Sequence, residues 1–195
     1  MLYASKASAP GSTFTQVDGD RTALRIWPCL IAALALALFA DPSLAVEQGD
    51  IAPPFKAVDF DGKPVDFPLA GGKPAIVVFW ATWCGYCKAF MPYLKGIATD
   101  YAAHGVKVVA INAKEDGRGD PRAYVRGLGF SPIAVANGDS IAAAYGVQYI
   151  PGLMIVDGKG TVAYRRPWTD LPAGRTVAEL WDDQVRAALD ALTRR

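Results

Sequence analysis

Cysteine and histidine are scarce in this chain, with three of the first and one of the second among 195 residues. Charge of either sign is equally short of dominance. Twenty Lys and Arg against 19 Asp and Glu leave a formal net charge of +1, and the charges are scattered, so no nucleic-acid footprint and no patch for an anionic membrane is present. Partners must therefore be recognised locally, by shape and chemistry. No uninterrupted apolar run reaches the roughly 20 residues that span a bilayer, and no internal repeat or low-complexity tract is visible. What the chain does have is apolar mass: 52% of it is hydrophobic and 20% charged. That is enough for one sizeable core and hardly for two, so the expected organisation is one globular domain behind an N-terminal targeting piece.

The targeting piece is residues 1–45. A polar start is followed by Arg21 and Arg25, then by the apolar run Leu30–Ala40 and Asp41-Pro42-Ser43-Leu44-Ala45. A basic flank, a short apolar region and a small-x-small site ending near Ala45 match a secretory signal. Cleavage there is the preferred reading, and an uncleaved N-terminal membrane anchor is the alternative. Both place residues 46–195 outside the cytoplasm, with membrane contact only if the segment is retained. The stretch before Arg21 is long for a signal, so the true start can lie further in than Met1. Cys29 precedes the apolar run, where a lipid-modified cysteine would have to follow it, so it reads as a small apolar residue of the discarded segment.

Along the remainder, apolar pieces at residues 55–60 and 65–67 around Asp61-Gly62 predict a hairpin. Ala75 to Ala81 is β-branched and aromatic without polar alternation, as a central strand buried on both faces would be. Lys88 to Tyr101 has helical spacing, with Phe90, Leu94, Ile97 and Tyr101 on one side and His104-Gly105 as the stop. Val106 to Asn112 predicts a second buried strand, so strand, helix and strand follow as in a right-handed parallel crossover. Short helices are expected at Pro121–Leu128 and Ser140–Tyr145. Leu153–Val156 and Thr161–Arg165 form a strand pair about Asp157-Gly158-Lys159-Gly160. Thr176 to Leu192 closes the chain as an amphipathic helix with Val177, Leu180, Trp181, Val185, Ala188 and Leu189 inward.

With the N-terminal segment set aside, Cys84 and Cys87 are the cysteines that remain. One disulfide across so short a loop removes little unfolded-chain entropy, so a working disulfide is favoured over a structural one. If Cys84 opens the helix after the central strand, the two sulfurs share a face with Cα atoms about 5 Å apart, inside the range a disulfide tolerates. Unpaired amides and the positive end of the helix favour thiolate at Cys84. Bringing a thiol from about 8.5 to about 7 takes roughly 2 kcal/mol, of which the dipole gives ~0.3 to 1, so amide hydrogen bonds and the Cys87 thiol must supply the rest. Cys84 is then the exposed attacking sulfur and Cys87 the buried resolving one. Gly85 lets the chain turn closely, Tyr86 tunes potential and partner contact, Trp80 belongs to the core, and Trp83 is partly exposed beside the sulfur. Two alternatives concern metal. Zinc needs four ligands and could add only His104, at the far end of the same helix, which reads better as a residue facing water than as a base. Two thiolates could hold Cu(I), which leaves a copper chaperone as a reading from a different class.

The run Phe79-Trp80-Ala81-Thr82-Trp83-Cys84-Gly85-Tyr86-Cys87-Lys88, with Pro92 beyond it, resembles the active-site strand and kinked helix of the thioredoxin superfamily. Tyr145 to Asp157, around Ile150-Pro151-Gly152, resembles the segment that carries its cis-proline. The likeness covers roughly residues 50–170 and is closest to the exported TlpA/ResA/CcmG-like branch. It implies an α/β thioredoxin-like fold, a central mixed sheet flanked by helices, with an N-terminal hairpin extension. It also implies a thiol:disulfide oxidoreductase, a protein disulfide reductase with a possible place in cytochrome c maturation. No cofactor is implied beyond the Cys84–Cys87 disulfide. The partners would be protein thiols and disulfides and a membrane electron donor of the DsbD/CcdA type. Pro151, which without the likeness reads as trans, becomes cis, lying against the disulfide, excluding metal and leaving Ile150 to pair with an extended substrate segment. Trp83, Gly85, Tyr86 and Ile150 are the substrate-binding candidates.

The chain also departs from that pattern. Val78 stands where thioredoxin has a buried aspartate. Glu115, after the next strand, is similarly placed to the acid that can serve instead, and it reads equally as a solvated loop carboxylate. Gly152 replaces the threonine frequent after the cis-proline. Gly-Tyr between the cysteines also occurs in DsbC-like isomerases, so oxidase and isomerase roles stay open beside the reductase. A peroxidase would need a separate peroxidatic cysteine with a partnering arginine, and none is visible.

Overall fold

The computed structural model describes residues 45–167 and 173–194. Two units divide the chain, Met1–Pro42 and Ser43–Arg195. Residues 1–44 of the signal segment, Cys29 among them, lie outside the described residues. No helix among the described residues is long and apolar enough to cross a membrane.

Strands β1 (Phe55–Val58) and β2 (Pro64–Phe67) pair antiparallel as the predicted hairpin, with Phe55 opposite Phe67 and their rings stacked 4.9 Å apart. The Asp59 carboxylate makes the turn by accepting the N–H groups of Asp61 and Lys63, at 2.9 and 2.8 Å. The main sheet is built on β3 (Ala75–Trp80), whose six residues are all buried. β4 (Lys107–Asn112) pairs parallel to it, and β6 (Gly152–Val156) pairs antiparallel on the other side. β5 (Ile133–Val135) and β7 (Val162–Arg165) form the edges, in the order β5-β4-β3-β6-β7. This is a thioredoxin-like α/β fold, a mixed sheet flanked by helices with an N-terminal hairpin.

Alternation along β3 divides the core between two faces. Ile76, Val78 and Trp80 pack with Phe90, Leu94 and Ile97 of α1 (Gly85–Asp100), and with Trp181, Val185 and Leu189 of α4 (Val177–Thr193). Ala75, Val77 and Phe79 pack on the other side with Phe67, Ile111, Tyr145 and Met154. The short helices α2 (Pro121–Arg126) and α3 (Asp139–Ala144) sit in the connections after β4 and β5.

Four features differ from the sequence reading. β5 has no counterpart in the sequence reading: three residues beside Pro132 are too few to show a period, and the strand exists through its pairing with β4. α1 begins at Gly85 rather than Lys88, and His104 sits in a separate 3-10 turn, Ala102–His104, closed by Gly105 at φ 74°. In α4, Ala178 is buried and Leu180 only partly so. A capping box fixes the phase there, with the Thr176 hydroxyl accepting the Glu179 N–H and the Glu179 carboxylate accepting the Thr176 N–H. The buried stripe then runs 178, 181, 185, 189, and Leu180 falls about 100° from Trp181. Last, the Phe67–Pro68 bond is cis as well as Ile150–Pro151.

Two phenols lock α4 in place. Tyr101 donates to Asp190 at 2.6 Å and Tyr164 donates to Gln184 at 3.0 Å. Burial pushes both up to about 12, helped in Tyr101 by the bond to Asp190. A phenol in the unfolded chain titrates near ~10, so the unfolded state loses these protons first as pH rises. The stability they give is complete below about pH 10 and is lost towards about pH 12. Urea midpoints should therefore fall across that interval, and fall less steeply in Tyr101→Phe; a flat midpoint would contradict the packing described.

Candidate active site

Cys84 is the N-cap of α1, with extended backbone at φ −78° and ψ 103°, and its sulfur accepts the N–H of Cys87 at 3.1 Å. The two cysteines are joined in a disulfide with Cα atoms 5.2 Å apart. β3 ends at Trp80, the turn Ala81-Thr82-Trp83 follows, and the Cys84 N–H returns to the Ala81 carbonyl at 3.1 Å. The core strand thus delivers the cysteine directly to the start of the helix. The expectation of an exposed Cys84 is corrected: in the disulfide form Cys84 is 4% and Cys87 2% accessible. The reason is the cap itself, which turns the Cys84 sulfur inward toward the Cys87 amide and sulfur.

The flanking residues are open. Trp83 is 48% and Tyr86 63% exposed, while Trp80 is fully buried. Gly85, the first helical residue, is exposed. Tyr86 meets Trp181 of α4 edge-on at 6.4 Å. Pro151 is buried behind a cis bond and Ile150 is partly buried. The β3–β6 ladder stops at Gly152, so Ile150 lies beyond it. Gly152 has a packing reason to lack a side chain, since a Cβ there would lie 2.8 Å from Val147 and 3.2 Å from Phe79. Tyr86, Ile150 and Pro151 share one apolar groove with Trp181, Val177 and Arg166.

Glu115 is half-buried, and the partners of its carboxylate are Thr82 and Asn112 rather than either sulfur. Its carboxylate accepts the Thr82 N–H at 2.9 Å, the Thr82 hydroxyl, and the Asn112 side-chain amide at 2.8 Å. Burial alone would push the carboxyl up, but the bonds from Thr82 and Asn112 outweigh it and hold it below the ordinary carboxylate value. Glu115 is therefore an anion at neutral pH that fixes the turn before Cys84. Gly119 closes over the same turn: a Cβ there would lie 1.9 Å from the Thr82 hydroxyl. The residue before Glu115, Lys114, accepts the Trp83 indole N–H on its carbonyl at 2.7 Å.

Thr82 and Asn112 escaped the sequence reading, though both sit inside segments it singled out. Arg166 left no signal in the sequence. Its guanidinium donates to the Pro151 carbonyl at 2.8 Å and lies 4.8 Å from the centre of the Trp181 ring. His104 is exposed and is separated from Cys84 by the whole of α1, about 24 Å of helix. Among the described residues no three His, Cys, Asp or Glu side chains group closely enough to hold a metal ion. The arrangement offers one reactive centre, a dithiol whose leading sulfur faces a helix N-terminus.

Comparison with known proteins agrees with this geometry. Residues 48–165 match the AhpC/TSA family. The thiol-disulfide oxidoreductase ResA of Geobacillus thermodenitrificans is 32% identical over 68% of this chain and 78% of its own length. ResA of Bacillus anthracis is 32% identical over 64% of this chain and 71% of its own length. Among solved structures, a putative thiol:disulfide interchange protein DsbE from Chlorobium tepidum superposes with a TM-score of 0.61 at 27% identity, over 74% of this chain and 99% of that one. A secreted Mycobacterium tuberculosis disulfide oxidoreductase homologous to E. coli DsbE superposes at 0.52 with 25% identity, over 68% of this chain and 95% of its own.

The stability that ionised Glu115 gives to the turn is complete above the ordinary carboxyl value and is lost as pH falls through its lower folded-state value. Glu115→Gln should thus cost about 1 to 3 kcal/mol at pH 7, and the gap from wild type should close in acid. An equal gap at pH 7 and pH 3 in urea titrations would contradict it.

Proposed function

This chain belongs to the AhpC/TSA family of thioredoxin-like proteins and is a thiol-disulfide oxidoreductase of the ResA/DsbE type, and on that premise we propose that it reduces protein disulfides outside the cytoplasm through Cys84 and Cys87. The observation that carries the proposal is the cap: the Cys87 N–H points at the Cys84 sulfur. In the reduced protein the same amide meets a thiolate, adding a charge-assisted hydrogen bond to the dipole of α1. α1 has no acidic residue in its first turn to oppose that charge.

The cycle balances as two exchanges. Cys84 thiolate attacks one sulfur of the partner disulfide, forming the mixed disulfide and releasing the other partner sulfur as thiolate. Cys87, deprotonated, then attacks the Cys84 sulfur, and the second partner thiolate leaves and takes up a proton. Two electrons have passed to the partner, and Cys84–Cys87 is the oxidised form described above. Recharging needs an incoming dithiol, for which we propose a membrane donor of the DsbD/CcdA type. Pro151, Ile150 and Tyr86 line the groove in which an extended partner segment would lie, and Trp83 and Gly85 are the exposed neighbours of Cys84 that the same partner would meet.

The direction of flow follows from how strongly the thiolate is held. A potent oxidant needs its reduced form heavily stabilised. Here the identified contributions are one amide and one helix end, which favours a reductase over an oxidase or isomerase. Export rests on the apolar segment of residues 30–40 and its small-x-small site, cleaved or retained as an anchor. It is supported by the likeness to a secreted relative. The resemblance to the ResA/CcmG-like branch extends the proposal to disulfides handled in cytochrome c maturation.

The reduction potential of residues 46–195 should lie well below about −200 mV, and a value near about −120 mV would make the protein an oxidase instead. Cys84→Ser should abolish turnover and Cys87→Ser should accumulate the mixed disulfide on a non-reducing gel. Full activity in the Cys84 variant would end the proposal.

A further inference from the structure

Trp83, the residue directly before the attacking cysteine, is large, apolar and half exposed, yet its indole is tethered. The acceptor is a backbone carbonyl, that of Lys114, at 2.7 Å. Lys114 has φ 57°, in the left-handed region that a lysine adopts only when its surroundings hold it there. The group that holds it is a side chain far along the sequence: the carboxylate of Asp139 accepts the Lys114 N–H at 2.7 Å.

Asp139 is in turn fixed against the end of β4. The preceding Gly138 donates its N–H to the Asn112 carbonyl at 2.8 Å, and a Cβ on Gly138 would lie 2.2 Å from Ile111. The first residue of α3 is therefore pressed onto the strand end from which the loop carrying Lys114 and Glu115 departs. One arm of that loop, Glu115, fixes Thr82. The other arm, Asp139 to Lys114 to Trp83, fixes the indole.

We propose that Asp139 is a positioning residue for partner recognition, acting through Lys114 to hold the Trp83 indole in place beside Cys84. The proposal rests on the thiol-exchange reading of the site and adds to it the residue that sets the shape of the partner-facing rim. Asp139 touches no reacting atom. Its effect falls on partners large enough to cover Trp83, which stands with Tyr86 and Tyr149 among the exposed aromatic side chains. An ordered aromatic ring offers a partner contact area without the cost of freezing it on binding. A small disulfide that reaches only the sulfur gains little from it.

The test uses the full domain, reduced, with insulin as a protein disulfide and oxidised glutathione as a small one, together with the indole N–H resonance of Trp83 identified by its loss in Trp83→Phe. In Asp139→Ala the ratio of the insulin rate to the glutathione rate should fall about tenfold, and the Trp83 resonance should move toward that of a free indole. Asp139→Asn, which keeps an acceptor oxygen, should restore both. In a Trp83→Phe background the alanine change should have no further effect on the ratio. Asp139→Glu keeps the charge but displaces the acceptor by a methylene, and serves as the same test should the alanine variant not fold. An unmoved resonance and ratio in Asp139→Ala, or an asparagine variant as impaired as alanine, would overturn the proposal. Failure of wild type with both disulfides would instead overturn the thiol-exchange reading.

Discussion

The sulfur of Cys84 faces the open amide end of α1, and the rest of the site is arranged around keeping it there. β3 ends at Trp80 and α1 begins at Gly85, so only four residues connect the most buried strand to the reactive helix. A connection so short leaves little freedom: Cys84 must be the cap. The sheet and both core faces then act as a rigid mount for a few atoms at one edge. A sulfur placed by a flexible loop would sample many positions and meet the helix amides in few of them.

The turn itself is held from outside. Glu115 and Lys114, on the loop after β4, take the Thr82 N–H and hydroxyl and the Trp83 indole. These are long-range bonds between segments that β3 and β4 bring side by side through their parallel pairing. Thioredoxin places a buried carboxylate behind its cysteines, where this chain has Val78. Here the carboxylate sits to the side, and its hydrogen bonds keep it ionised. A group so committed is a poor proton carrier at neutral pH and a good brace. The groove beyond has Tyr86, Ile150 and Trp181 along it with the Arg166 guanidinium among them, so a partner of the proposed kind would meet mainly aromatic and apolar surface there with one cation at its edge.

Much of this was legible in the sequence because it is local. The hairpin around Asp61-Gly62, the strand at residues 75–81, the spacing of Cys84 and Cys87 and the amphipathic final helix each declare themselves within a few residues. Pro151 became legible as cis only through the resemblance of its surroundings to a known segment. What escaped is what long-range pairing creates. Strand β5 is three residues that mean nothing without β4 beside them. The clamp of Thr82 by Glu115 spans 33 positions, and that of Lys114 by Asp139 spans 25. Arg166, which braces the Pro151 carbonyl, looks in sequence like any strand-end arginine. The inward turn of the Cys84 sulfur also escaped, because spacing gives the face of a residue on a helix and says nothing of the direction a cap side chain takes.

The central claim is that the helix start holds the Cys84 sulfur as a thiolate. The most direct measurement is the rate of iodoacetamide alkylation of Cys84 in the reduced domain as a function of pH, followed by mass. The account predicts a midpoint at or below about pH 7; a midpoint near about 8.5, that of an unperturbed thiol, would contradict it.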